Sequence, residues 1–107
     1  MQGIMLRFYM YELQKHRGVL LYEWLLEWAK QKGISGGFVF RGIAGYGQER
    51  ILHEEHFFEL ASNVPVEVTF IVKKEESDHI FDTLREEKIS LFFAKSEVEY
   101  GRLSACP

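Results

Sequence analysis

The sequence predicts an α+β fold: a four-stranded antiparallel sheet with two helices on one face, in the ferredoxin-like βαββαβ order. Three observations carry this. Two segments alternate apolar and polar residues with period two, 4–11 and 65–73, as half-buried strands do. Two others, 18–32 and about 75–88, repeat apolar residues at helical spacing. A glycine-rich stretch between the first helix and the third strand follows another short apolar run, 38–43.

In the first strand Ile4, Leu6, Phe8 and Met10 alternate with Met5, Arg7, Tyr9 and Tyr11. The helix from Gly18 to Lys32 places Leu21, Leu25, Trp28 and Ala29 on one side and Glu23, Glu27, Lys30 and Gln31 on the other, and Gly33 ends it. The second strand runs through Phe38, Val39, Phe40, Arg41 and Ile43 into a turn at Gly45 and Gly47. Pro65 opens a third strand, with Val66, Val68, Phe70 and Val72 facing one way and Glu67, Thr69, Ile71 and Lys73 the other. Glu75, Glu76 and Asp78 load the start of a second helix and Arg85 and Lys88 its end, as the macrodipole favours, with Ile80, Phe81 and Leu84 on its core side. A last strand covers Leu91 to Ala94, with Val98 and Tyr100 as its extension.

With both helices on one side, the opposite sheet face is expected to carry Met5, Tyr9, Tyr11, Val39, Ile43 and Ile71 beside Arg7, Arg41, Glu67 and Thr69. That mixture is too apolar to stay in water, so self-association through this face is expected, in closed cyclic symmetry.

A length of 107 residues predicts one domain, 1–107. The net charge of -3 supplies no basic stripe, which argues against nucleic acid. The apolar run Val19 to Trp28 is interrupted by Glu23 and Glu27 and is too short to span a bilayer, and no signal peptide is legible. The single cysteine, Cys106, has no partner in the chain and fits a reducing cytoplasm.

The segment 36–50 is the richest in functional signal. Arg41 lies just before the glycine turn, where a guanidinium could grip a phosphate or carboxylate in bidentate fashion or close an interface salt bridge with Glu67 or another subunit's acid. Gly45 and Gly47 bring backbone close to a ligand or provide positive φ; Arg50 is a ligand contact or a solvated loop charge. The long loop from Gln48 to Asn63 holds His53 and His56, which with a neighbouring acid could form a divalent-metal site, although their spacing of three lacks the metalloprotease pattern. No nucleophile sits beside a positioned base, and no phosphate-loop lysine follows a glycine turn, so no enzymatic activity is expected.

Taken together, Leu21-Tyr22-Glu23, Gly36-Gly37, Arg41-Gly42-Ile43, Gly45-Tyr46-Gly47, His53 and the block from Leu60 to Val72 resemble the domain of unknown function 190 family, within the PII-like (GlnB-like) superfamily. The resemblance implies a homotrimer of ferredoxin-like subunits that binds small effectors in the clefts between them. It also implies regulation of a partner, such as a membrane transporter or channel, through the loop after the second strand. Gly45, Tyr46, Gly47 and Gln48 look like the glycine-aromatic-glycine-glutamine step that approaches an adenine nucleotide's phosphates, and Lys88 stands nearest a second phosphate loop. The expectation is a non-enzymatic PII-like signalling protein with no obligatory cofactor, which binds an anionic effector such as an adenine nucleotide through Arg41, Gly45, Gly47, Gln48, Arg50 and Lys88 and acts through the 48–63 loop. The alternative is a divalent-metal or metal-tolerance protein of the same fold using His53 and His56. A third reading, a small hydrolase with Arg41 as phosphate anchor, lacks a nucleophile.

Overall fold

In the computed structural model, which describes residues 1–45 and 63–105, the alternating N-terminal segment is a long strand, β1 (Gln2–Tyr11). A miniature hairpin follows, β2 (Lys15–His16) and β3 (Val19–Leu20), and leads directly into α1 (Leu21–Gln31). Then come β4 (Gly37–Arg41), β5 (Pro65–Val72), α2 (Lys74–Glu86) and β6 (Phe92–Glu99). The main sheet has the order β4-β5-β1-β6, and every pairing in it is antiparallel. This is the predicted ferredoxin-like arrangement, with the sheet's centre formed by the two strands whose alternation is cleanest.

Burial follows strand parity. Leu6, Phe8 and Met10 of β1 lie opposite Phe70, Val68 and Val66 of β5, and all six are buried beneath the helices. Leu21, Leu25 and Ala29 of α1 and Ile80 and Leu84 of α2 complete the core, joined by Ile34 and Val72. Trp28, expected in the core, is partly buried against its margin and meets His79 edge-on across the gap between the helices, with ring centroids 5.1 Å apart. Phe81 packs against both Phe8 and Phe93 and so ties α2 to the β1–β6 edge.

Both helices end in the same way with different residues. After α1, Gly33 adopts φ +77, donates to the Lys30 carbonyl, and lets the Ile34 amide reach Ala29, which satisfies two of the helix's last carbonyls. After α2, Lys88 takes the same left-handed position at φ 58, with its amide on Arg85 and the Ile89 amide on Leu84. A lysine there carries the steric cost that glycine escapes.

Three expectations are corrected. The helix does not begin at Gly18: Arg17 (φ 52) and Gly18 (φ 80) form the two-residue turn of the β2–β3 hairpin. Strands of two residues are too short to show a period, and so they escaped the pattern. Second, the second strand has the opposite phase. Phe38 pairs with Thr69 and Phe40 with Glu67, so these phenylalanines lie on the open face, 63% and 56% exposed, while Val39 and Arg41 are in register with Val68 and Val66 on the helix side. Gly37 explains the phase, since a Cβ there would stand 2.6 Å from the Phe70 ring and 2.9 Å from Leu26; only a residue without a side chain fits between sheet and α1. Third, Ile43 is beyond the strand and fully exposed.

The open face therefore carries Phe38, Phe40, Ile71, Met5, Tyr9 and Phe92 from edge to edge, with Tyr9 and Phe92 rings 5.8 Å apart. Burial, followed by the neighbouring Glu67, holds the Tyr9 hydroxyl above its ordinary pKa. No described helix is long and apolar enough to cross a membrane.

Candidate functional site

β1 and β4 both flank β5 in antiparallel register, so they are parallel to each other and their C-terminal ends emerge at the same edge of the sheet. There the backbone is fastened to the start of β5. The Glu12 amide donates to the Val64 carbonyl at 2.9 Å, the Leu13 amide to Asn63 Oδ1 at 2.8 Å, and the Gly42 amide to the Pro65 carbonyl at 2.7 Å. The first turn of α1 arrives at the same end, because the hairpin returns the chain there and the Leu21 amide bonds the Gln14 carbonyl at 2.7 Å.

Arg41 is the one predicted ligand residue whose side chain is both described and engaged. Its guanidinium does not reach Glu67, as the interface alternative supposed; it pairs with Glu12 in the same chain, Nε lying 3.2 Å from Oε2 and Nη2 also bonding that oxygen. Glu67 instead accepts from the Thr69 hydroxyl at 2.6 Å and lies 3.9 Å from Arg7. Strand phase accounts for the switch, since Arg41 is in register with Val66 on the helix side while Glu67, opposite Tyr9 and Phe40, is on the open side. The pair is asymmetric: the Arg41 side chain is 67% exposed and the Glu12 side chain 17%. The hydrogen bond and charge of Glu12 push the Arg41 guanidinium above its usual pKa, so it is cationic at any working pH. Tyr22 borders the pair, and its hydroxyl is raised by burial and then by Glu23 and Glu12.

Sequence reasoning missed Glu12. The signal was available in its parity: it continues the series Ile4, Leu6, Phe8, Met10 and thus places a carboxylate on the core-facing side of a strand end, where it needs a partner.

Gly45 reaches the same corner, where among the described residues a hypothetical Cβ meets the Pro65 ring alone, at 3.5 Å, an ordinary contact. It is not among the described glycines with positive φ. Among the described residues, neither packing nor backbone conformation demands glycine there. Gly47, Gln48, Arg50, His53 and His56 fall outside the described residues, as does most of the 48–63 loop. Lys88 has a structural part as the left-handed residue closing α2. Its neighbour Glu87 is clamped by the hairpin, with Arg17 Nε at 2.7 Å and Nη2 at 3.2 Å and His16 Nε2 at 2.8 Å. Those two partners lower the Glu87 pKa, Arg17 more than His16. No group of three or more potential metal ligands occurs among the described residues.

The profile of the DUF190 family, described as "Uncharacterized ACR", matches residues 3–98. The chain belongs to the DUF190 family. A UPF0166 protein of Aquifex aeolicus is 35% identical over 81 residues, covering 76% of this chain and 77% of the relative. One from Methanocaldococcus jannaschii is 33% identical, again over 81 residues, covering 76% and 74%. Among solved structures the fold of this DUF190 protein is similar to that of CPII, a nitrogen regulatory PII-like protein from Thiomonas intermedia, bound to ADP, AMP and bicarbonate. That likeness has a TM-score of 0.64 at 12% identity and covers 97% of this chain and 98% of CPII. A second CPII structure, bound to ADP, AMP and acetate, matches with TM-score 0.64 at 14% identity over 94% and 90%. The fold is therefore PII-like.

Proposed function

We propose that this DUF190 protein is a non-enzymatic PII-like regulator, a homotrimer that binds a small anionic effector, an adenine nucleotide, at subunit clefts and acts on a partner through the 48–63 loop. The observation that carries the reading is the corner where β1, β4 and α1 converge. It presents an exposed, permanently charged guanidinium at the mouth of that loop, beside Gly45, where no contact among the described residues demands glycine. Arginine presents several N–H groups in a plane suited to phosphate oxygens. ADP and AMP bound to a protein of the same fold support the choice of nucleotide.

The open face supports self-association. Phe38, Phe40 and Phe92 are each more than half exposed on a sheet surface that no described element covers, and contiguous apolar surface of this kind marks an interface. In a closed trimer each cleft would place the Arg41 corner of one subunit beside its neighbour, leaving the loop free to order around ligand or partner.

The test is calorimetric titration of ADP and AMP into the wild type and Arg41→Ala, with thermal melting of both to confirm folding. The reading expects binding by the wild type that weakens at least tenfold in the variant. Equal affinity in a folded Arg41→Ala protein would remove Arg41 from the site, and no nucleotide binding by the wild type would overturn the reading.

A further inference from the structure

The Arg41 guanidinium already carries an anion, and that anion belongs to the protein. Nε and Nη2 both bond Oε2 of Glu12, which uses one edge of the guanidinium's donor fork on a carboxylate. Around Tyr22 at this corner, Glu12 and Glu23 are negative and Arg41 positive, so these groups do not form a basic pocket. Any phosphate approaching Arg41 meets the field of Glu12 a few ångströms away, and like charges at such separations repel appreciably even through solvent.

We infer that Glu12 is a specificity-determining residue: an internal competitor for Arg41 that an anionic ligand must displace. The inference rests on Arg41 being the anion contact proposed above.

The asymmetry of the pair makes the exchange workable in one direction. Arg41 is the exposed member and keeps water or ligand around it when it turns from Glu12. Glu12 is the enclosed member, held at the strand end by its amide bond to Val64 and by the neighbouring Leu13–Asn63 bond. The carboxylate stays in place whether or not the ligand is bound. Its charge therefore acts as a threshold: a ligand must offer oxygens that hold the guanidinium better than a carboxylate already positioned. A phosphate group, with more than one anionic oxygen, meets that demand more readily than a lone weak acceptor. A binding site that rejects by competition discriminates against weak anions as well as selecting strong ones.

Glu12→Gln tests this, since it removes the charge, keeps the size and still offers an amide oxygen to the guanidinium. ADP is titrated into the wild type, Glu12→Gln, Arg41→Ala and the double variant at several salt concentrations, with melting curves for each. The inference predicts that Glu12→Gln binds ADP roughly two- to fivefold tighter, consistent with loss of a competing ion pair. Binding in that variant should depend more steeply on salt, because Arg41 then exchanges a solution anion for the ligand. The double variant should bind no better than Arg41→Ala, so that the gain disappears with the arginine.

Unchanged or weaker ADP binding by folded Glu12→Gln, alongside loss in Arg41→Ala, would overturn the competitor role while leaving the Arg41 site intact; Glu12 would then be a positioning residue for the guanidinium. Wild-type affinity in Arg41→Ala would overturn both. A tightening that persists in the double variant would also sink the competitor role, because it would show a general charge effect unrelated to Arg41.

Discussion

The two faces of the sheet are built from the same strands and have opposite fates. On the helix side Leu6, Phe8, Val68, Phe70 and Val72 are almost completely buried. On the other, Phe38, Phe40 and Phe92 stand in the open, interleaved with Arg7, Glu67 and Thr69, whose polar groups are partly satisfied within the face. The helix side holds the monomer together, whereas the open side is composed like the inner surface of an assembly. In the proposed assembly, folding and association fall to different residues one position apart along each strand.

Substitutions on the two faces should separate these roles. The largest effect is expected from Phe8→Ala, which empties a fully buried aromatic site contacting Phe70 and Phe81; it should cost about 3–5 kcal/mol in denaturant unfolding, a large part of a small domain's stability. Phe40→Glu, on the open face, should preserve the far-ultraviolet circular dichroism spectrum but shift the protein to a smaller species in sedimentation velocity. An unchanged sedimentation coefficient would mean that the open face is not the interface.

Gly37→Ala sharpens the same contrast within a single strand. Its new methyl would collide with Phe70 and Leu26 between sheet and helix, so about 1–3 kcal/mol should be lost, while the neighbouring open-face Phe38→Ser should have a much smaller effect on the unfolding of isolated subunits. Lys88→Gly relieves a left-handed lysine at the end of α2 and should stabilise by about 1 kcal/mol or less, the gain being reduced by the greater freedom of glycine in the unfolded chain.

The smallest effect concerns the hairpin clamp. Arg17 and His16 hold the Glu87 carboxyl below its ordinary pKa. Stability from this linkage is fully present above the unfolded value, about 4.3, and is lost as pH falls through the lower folded value. Glu87→Gln should therefore lower the melting temperature slightly at neutral pH, where that linkage is fully present, and flatten the acid side of the profile so that variant and wild type converge at low pH.

Sequence pattern revealed the architecture where alternation was unambiguous. β1 and β5 place apolar residues on one side and a mixture of charged, hydroxyl and a few apolar residues, Met5 and Ile71 among them, on the other, so the faces could be read from parity. β4 could not be read this way. In Phe38-Val39-Phe40 both sides are apolar, and the phase is decided by a steric fact, the close approach at Gly37, which lies in three dimensions. The candidate site was half legible. Arg41 stood out beside glycines, while Glu12 is 29 residues away and becomes its partner only because β5 is threaded between their strands. The clamp of His16 and Arg17 on Glu87 spans 71 and 70 residues and left no local signature. The loop that the sequence marked as the switch lies mostly outside the described residues.

The most direct measurement of the central claim is native mass spectrometry of the purified protein, alone and with ADP. The account predicts a trimer of the 12.6 kDa chain that takes up as many as three nucleotides, one for each cleft. A monomer, or a trimer that remains unliganded at saturating ADP, would contradict it.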